Sequence, residues 1–377
     1  MDARQILTEN ERRHLLLLID GTWVSASCKL ASDRHSNIYK LNLFIETHSA
    51  LNEAQVTFYI PGIGSPSQSS FWWDRLLAGV DAFGIERLVE EAYINIVSNF
   101  IETDEIYIFG FSRGAVIARI VAEMISKYGI LKPQHIEYYP KLWEDFRTGA
   151  APDLDVDNVI FRRHRCIQFL GLFDTVAGPF LDDELLQRRF FEKKRLPEHV
   201  RSCVHLLALN ETRVAFRPTL FDDVSRSQQY LEQIWMPGVH SDVGGGYADD
   251  FFGKVALLTM IDRLQTLTSL KISKTAISRL QNSIRQDFES DTIAINEELA
   301  NTREWALVKR RVLSWTGFAR PRRPGVTHQY YHPICCRLKG HFLRMKSDKA
   351  AQQFSMVGFR TNLEVTWISL FDDLDLG

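Results

Sequence analysis

The sequence lacks any long apolar run. The longest extends from Leu15 to Ile19, whereas a membrane-spanning helix needs roughly 20 consecutive apolar residues. The same run is too short for the core of a signal peptide, and it follows acidic and polar residues rather than a basic start. We therefore predict a chain that does not span a bilayer, is cytoplasmic as synthesised and contacts membranes only peripherally.

Cysteine is scarce, and its spacing forms no pairs. The five cysteines are scattered along the chain without a CxxC motif, which argues against a disulfide framework and against a zinc ribbon. Clustered metal-ligand motifs such as HExxH are also absent. We expect reduced thiols, no metal and no cofactor.

An excess of charge of one sign is missing as well. The 45 Lys and Arg residues are balanced by 47 Asp and Glu residues, for a formal net charge of -2. Without an overall positive field, a dedicated nucleic-acid binder is disfavoured, and we predict no nucleic-acid partner. Hydrophobic residues at 45% and charged residues at 24% are typical of soluble globular proteins and argue against disorder and coiled coil.

Short apolar runs alternate with segments of helical periodicity over the first two thirds of the chain. Strands are predicted at His14–Ile19, Val56–Ile60, Glu105–Phe109, Cys166–Phe173 and Ile234–Val239, and helices at Glu86–Phe100 and Arg113–Tyr128. This alternation predicts an α/β fold with a doubly wound, mainly parallel sheet and helices on both faces.

The pattern changes after Tyr247 to longer helical stretches, at Lys254–Leu270 and Leu280–Trp305. We therefore divide the 377 residues into a catalytic domain at 1–270 and a mostly helical C-terminal extension at 271–377. The extension contains a basic cluster between Lys309 and Arg323, which would suit an anionic lipid surface or a solvated loop equally well.

The pentapeptide Gly110-Phe111-Ser112-Arg113-Gly114 has the pattern GxSxG. Alone it is a weak signal, but here it follows a predicted strand and opens a predicted helix, which is the setting of a nucleophile elbow. Ser112 is therefore the candidate nucleophile. The amide of Arg113, at the start of the helix, would stabilise a developing oxyanion.

A serine nucleophile needs a base and a carboxylate that orients the base. Asp174 follows the predicted strand that ends at Phe173, and His240 follows the one that begins at Ile234. We rank these two first as acid and base. His332 is the alternative base, and Asp242 and Asp20 are alternative carboxylates.

The turn Asp20-Gly21-Thr22 follows the first predicted strand. A nucleophile elbow takes a second oxyanion donor from a loop after an earlier strand, so the amide of Gly21 or Thr22 is the expected supplier. A phosphatase with Asp20 as nucleophile is set aside because Leu18 and Thr22 occupy the positions of its usual second aspartate.

Six strings of the sequence, taken in order, carry a family resemblance. They are Leu17–Trp23, Pro61–Gly64, Ala82–Gly84, Ile108–Ala115, Phe173–Val176 and Trp235–Tyr247. Over roughly residues 14–260 the chain resembles the α/β-hydrolase domain of the Tle1-like phospholipase effectors of type VI secretion. The strings GFSRGA and HSDVGGGY are the most specific.

The resemblance implies an α/β-hydrolase fold, a serine esterase mechanism and membrane phospholipids as substrates. It implies Ser112 as nucleophile, Asp174 as acid and His240 as base, in agreement with the reading from the residues. It also implies a partner from a secretion system, an immunity protein or a regulator, and delivery by type VI secretion. Secreted members commonly add a substantial membrane-targeting module, whereas only 130 residues follow Tyr247, so action on the cell's own membrane as a defence effector is the alternative.

Two other functions remain open from the sequence. One is a catalytically silent module that binds a lipid or a partner, and the other is an esterase for small soluble esters. The aromatic segment Ser70–Trp73 would suit a lid that touches a bilayer, but a helix packed on the domain explains it at least as well.

Overall fold

The computed structural model describes most of the first 295 residues and shorter segments after residue 327. The described residues are 12–21, 35–62, 82–151, 156–161, 166–177, 194–211, 213, 216–248, 250–289, 293–295, 328–338, 342–345, 351–353, 368–372 and 374. Thr22, the aromatic segment at Ser70–Trp73 and the basic cluster between Lys309 and Arg323 lie outside these residues.

A seven-stranded sheet forms the centre of the described structure. The described residues also form smaller sheets. In chain order, all the strands of the described residues are β1 (Arg13–Ile19), β2 (Ala54–Ile60), β3 (Glu105–Phe111), β4 (Ile130–Leu131), β5 (Ile160–Phe161), β6 (Ile167–Phe173), β7 (Arg195–Leu196), β8 (Val200–Ala208), β9 (Asp223–Val224), β10 (Tyr230–Met236), β11 (Ala294–Ile295), β12 (Gln329–Tyr331), β13 (Phe342–Met345) and β14 (Ala351–Gln353). The central sheet has the order β12-β10-β8-β6-β3-β1-β2, and each neighbouring pair in it is parallel.

Helices connect these strands. They are α1 (Asn37–Phe44), α2 (Ala82–Asn99), α3 (Arg113–Tyr128), α4 (Tyr139–Thr148), α5 (Val156–Val159), α6 (His240–Gly244), α7 (Phe251–Leu267), α8 (Lys274–Glu289), α9 (Pro333–Arg337) and α10 (Ser369–Asp372). A 3-10 helix at Pro133–Tyr138 precedes α4. No helix within the described ranges has the length and apolar character needed to cross a membrane.

The interior strand β1 is apolar on both faces because both faces are covered. Leu15, Leu17 and Ile19 belong to one buried cluster, together with side chains of α2 and α3. Leu16 and Leu18 belong to a second cluster, together with side chains of α1 and α7. A parallel strand buried on both sides has the near-continuous apolar sequence found here. The predicted parallel sheet with helices on both faces is confirmed.

The structure differs from the sequence-based prediction in two of the strands of the central sheet. The strand β8 was not predicted, because Arg201, Ser202 and His205 interrupt its apolar run. Strand β10 ends at Met236 rather than at Val239, because Pro237 and Gly238, the latter with φ of 109°, turn the chain.

The predicted helix Leu280–Trp305 is wrong in extent. The helix α8 ends at Glu289, and the next described segment contains β11, which pairs with β13. Part of the C-terminal extension also joins the central sheet, where β12 pairs with β10. Such short strands form because they pair with segments that are distant in the sequence. The periodicity of the local sequence therefore does not predict them.

Candidate active site

Ser112 lies in the turn between β3 and α3 with backbone angles of φ 56° and ψ -118°. A positive φ is strained for a residue other than glycine, and such strain is found where a fold presents a functional side chain. The amide of Ser112 donates to the carbonyl of Phe173, at 3.1 Å. The turn that carries Ser112 is therefore tied to the end of the neighbouring strand β6.

Close packing of this turn explains why residue 114 is a glycine. A Cβ on Gly114 would lie 2.3 Å from the carbonyl oxygen of Ile19 and 2.5 Å from that of Asp20. Both contacts are far below the separation that a real Cβ shows, and both partners are backbone atoms. Helix α3 can thus start directly against the end of β1 only because residue 114 has no side chain.

Asp174 follows β6 and is fully buried. Its Oδ2 lies 2.7 Å from Nδ1 of His240, and its Oδ1 accepts a hydrogen bond of 3.1 Å from the amide of Ala208. Its own amide donates to the carbonyl of Leu206, and its φ is 39°. These bonds to β8 hold the carboxylate in a strained backbone conformation with its second oxygen on the histidine.

His240 is the first residue of α6 and is 4% exposed. Its amide donates to Oε2 of Glu211, at 3.3 Å, and that carboxylate also pairs with Arg213, at 2.7 Å. The rings of Phe111 and Phe216 lie 4.8 Å and 4.9 Å from the imidazole, between ring centroids. The sequence does not predict the contacts of His240 with Glu211, Phe111 and Phe216; its only signal is the position of Phe111 beside Ser112.

The predicted oxyanion donors have different environments. Arg113 begins α3 directly after Ser112, as expected. The amide of Gly21, however, donates to Oδ1 of Asp20, at 2.7 Å. In this arrangement the Gly21 amide is already committed to a carboxylate, and Thr22, the other predicted donor of that turn, lies outside the described residues.

The two alternative carboxylates hold other groups. Asp20 accepts from the hydroxyls of Ser36 and Tyr59, at 2.6 Å and 2.7 Å, and burial raises its pKa to about 6 in spite of these bonds. Oδ2 of Asp242 accepts from the amide of Val239, at 2.9 Å, at the start of α6. Among these carboxylates, the one in contact with His240 Nδ1 is Asp174.

His332 lies after β12 and is fully buried. Its Nδ1 accepts a hydrogen bond of 3.0 Å from the amide of Ile334, so its proton is on Nε2, which lies 2.9 Å from the hydroxyl of Thr259. Burial, aided by the charge of Arg263, lowers its pKa to about 3. Both ring nitrogens are thus used within the core, in a neutral imidazole.

The arrangement around His240 is suited to proton transfer. A carboxylate on Nδ1 keeps the proton on that nitrogen and leaves Nε2 as the acceptor. Ser112, Asp174 and His240 follow β3, β6 and β10, so all three lie at the carboxyl ends of parallel strands, which is the edge where such sheets carry their sites.

The sequence profile of the family described as T6SS, Phospholipase effector Tle1-like, catalytic domain matches residues 13–263. An uncharacterized protein of Saccharomyces cerevisiae is 28% identical over an alignment of 244 residues, and the match covers 55% of this chain and 33% of that protein.

Two solved structures are also similar. One, of an uncharacterized protein from Pseudomonas aeruginosa, is 18% identical with a TM-score of 0.41, and the match covers 80% of this chain and 53% of that one. The other, a Tle1 effector bound to the VgrG spike of the type VI secretion system, is 21% identical with a TM-score of 0.33, and the match covers 63% of this chain and 52% of that one. The chain therefore spans about a third of the yeast protein and about half of each solved structure.

Proposed function

The chain belongs to the catalytic-domain family of the Tle1-like phospholipase effectors of type VI secretion, and from this membership we propose that it hydrolyses acyl esters of membrane phospholipids with Ser112, His240 and Asp174. The family supports an ester hydrolase of the lipase type. The contact of 2.7 Å between His240 Nδ1 and the buried Asp174 carboxylate is the observation that carries the assignment of the residues.

In the proposed mechanism, Oγ of Ser112 attacks the ester carbonyl while Nε2 of His240 takes the hydroxyl proton. The tetrahedral intermediate collapses, the alcohol leaves with that proton, and the acyl group stays on the serine. Water then attacks the acyl-enzyme and gives its proton to His240, which passes the proton to Oγ of Ser112 as the fatty acid leaves. Asp174 holds the imidazole in the required tautomer and stabilises the imidazolium.

The oxyanion would be held by the amide of Arg113 and by an amide of the loop after β1. Because the Gly21 amide donates to Asp20, we assign the second donor to Thr22. Asp20 is then a residue that shapes this loop rather than the carboxylate that orients the base.

The test is fatty-acid release from phospholipid vesicles by the full chain and by its Ser112→Ala variant. We expect release to fall by at least about 10³-fold, whereas Ser278→Ala, on the exposed side of α8, should act as the wild type does. Unchanged release by Ser112→Ala would overturn the assignment. A retained biological effect in that variant would favour a silent binding module, and equal rates on soluble esters and vesicles would favour a soluble-ester esterase.

The identity of the base is tested by replacing each histidine. His240→Ala should abolish release, whereas His332→Ala should lower the stability but leave the rate per folded molecule near that of the wild type. Full activity in His240→Ala would transfer the role of base to His332.

We also propose that the protein contacts the membrane peripherally and that a secretion-system, immunity or regulatory protein is its partner, as the effector family suggests. On the same ground we propose delivery by type VI secretion, with action on the cell's own membrane as the alternative. Lipid-product analysis with the purified protein identifies the bond that is cut. Release of no lysophospholipid or fatty acid from any vesicle would contradict the substrate class.

A further inference from the structure

We infer that Phe111, the residue before Ser112, is a positioning residue for His240, and that residue 244 is glycine because the Phe111 ring occupies the space of its side chain. The inference rests on the proposed function, in which His240 is the base. The proposed function names His240 as the base, whereas the question here is which contacts orient its imidazole.

The first observation is the contact between the two rings. Phe111 and His240 are both buried, with ring centroids 4.8 Å apart and planes inclined by 32°. Phe216 meets the same imidazole edge to face, at 4.9 Å and 71°, and the Arg213 guanidinium lies 3.6 Å from the centre of the Phe216 ring. With Asp174 on Nδ1, these neighbours restrict rotation of the His240 ring.

The Phe111 ring also occupies the space that side chains on Gly21 and Gly244 would need. A Cβ on Gly244 would fall 1.9 Å from Cε2 and 2.1 Å from Cζ of Phe111, and a Cβ on Gly21 would fall 2.7 Å from Cδ1. These separations are impossible for real atoms, and the ring is confined by its contact with His240. Two glycines, Gly21 after β1 and Gly244 at the end of α6, therefore leave the space that the Phe111 ring occupies.

Gly244, Gly245 and Gly246 are consecutive. The backbone conformation explains why the last two are glycines, but it does not explain the first. Gly245 and Gly246 have φ of 83° and 112°, whereas Gly244 is not among the glycines with positive φ. Glycine is favoured at the later two positions by conformation. At position 244, which ends α6, the Phe111 ring supplies the reason.

Phe111 thus touches three parts of the site. It is next to the nucleophile in sequence, it packs on the base, and it fills the space beside the loop after β1. Misplacing a catalytic group by about 1 Å can cost roughly 100-fold in rate. The ring is therefore placed to keep the serine and the imidazole in a fixed mutual orientation.

The experiment measures the rate at which a fluorophosphonate probe labels Ser112, together with kcat and KM for a soluble ester. Phe111→Leu should lower labelling and kcat by about 10-fold, with KM within about twofold. Gly244→Ala should lower both rates by about 100-fold, because its methyl group displaces the ring and the imidazole with it. In the double variant the smaller leucine should accommodate that methyl group, and the rate should return to that of Phe111→Leu alone.

Gly246→Ala is the matched control. Its Cβ would meet no atom within 4 Å, so any loss comes from the backbone, and Phe111→Leu should not relieve it. If Gly244→Ala does not fold, folding becomes the readout, and Phe111→Leu should restore it.

Losses that multiply in the double variant, or labelling of Phe111→Leu at the wild-type rate, would overturn the inference. Failure of the wild type to label at Ser112 would instead contradict the proposed function.

Discussion

At the scale of single residues, Asp20 is a buried carboxylate that connects separate parts of the candidate site. Its three donors are the Gly21 amide and the hydroxyls of Ser36 and Tyr59. Ser36 in turn pairs through its backbone with Gly245, in the loop that follows His240. The carboxylate thus connects the turn after β1 to the segment that carries His240.

The first prediction concerns the pH dependence of stability. The pKa of Asp20 is raised from 3.8 to about 6, so the folded state binds its proton more tightly than the unfolded state does. The stabilisation by this proton is complete below about pH 3.8 and is lost as the pH rises through about 6. Asp20→Asn removes the ionisation, so its free energy of unfolding minus that of the wild type should increase from pH 4 to pH 7, by on the order of 2 kcal/mol.

Urea unfolding at several pH values measures this difference. A difference for Asp20→Asn that is independent of pH would contradict the raised pKa.

A second residue-scale prediction concerns the tautomer of His240. Asp174→Asn should fold, yet it should lower kcat by roughly 10³- to 10⁴-fold, because an amide that donates to Nδ1 would put the imidazole proton on Nε2. Steady-state kinetics on a soluble ester measures the loss. A variant that stays within about tenfold of the wild type would show that Asp174 does not orient the base.

At the scale of elements, the crossing of α3 over the end of β1 depends on Gly114. Gly114→Ala places a methyl group against the carbonyl oxygens of Ile19 and Asp20, which cannot move without separating α3 from β1. We expect a loss of several kcal/mol in the free energy of unfolding, as for other overpacked sites.

Gly149→Ala is the comparison, because Gly149 is exposed and ends α4 with a φ of 86°. Its replacement should cost only about 1 kcal/mol. Thermal unfolding of both variants measures the contrast, and equal losses would contradict the account of the helix crossing.

The elements that the sequence predicts well are those whose signal is local. Strands β1 and β3 are continuous apolar runs, and the periodicity of α3 predicts its bounds, Arg113–Tyr128. Strand β8 was missed because His205 interrupts its pattern. In the structure that histidine is buried, and its Nε2 accepts a hydrogen bond from the amide of Thr175, which no local pattern reveals.

The features of the candidate site likewise divide into those with a local sequence signal and those without one. Ser112, Asp174 and His240 could be proposed because each follows a recognisable strand. The commitment of the Gly21 amide to Asp20 and the contact of Phe111 with His240 could not, since they depend on how the loops after different strands meet.

At the scale of the whole molecule, part of the C-terminal extension belongs to the main sheet. Strand β12 pairs with β10, and the indole of Trp235 donates to the side-chain oxygen of Gln329, at 2.9 Å. Near the C-terminus, the hydroxyl of Ser369 donates to Asp262 on α7, at 2.5 Å. The extension is therefore joined to the catalytic part by backbone pairing as well as by side chains.

We accordingly expect the full chain to unfold in one calorimetric transition, with the far-ultraviolet signal and tryptophan fluorescence changing together. A chain that ends at residue 270 should lose stability, because it leaves β10 with an unpaired edge. Two resolved transitions, with the same midpoint for the truncated chain and one of them, would contradict this and support an independent catalytic domain at residues 1–270.

We propose that Ser112, activated by His240 and Asp174, makes this chain an ester hydrolase. The most direct measurement is fluorophosphonate labelling of the purified full chain, followed by mass mapping of the labelled peptide. We predict one adduct, on Ser112, which forms at least about 10³-fold more slowly in His240→Ala and at a nearly unchanged rate in His332→Ala. An adduct on another residue, or no adduct in a preparation that releases fatty acid, would contradict the claim.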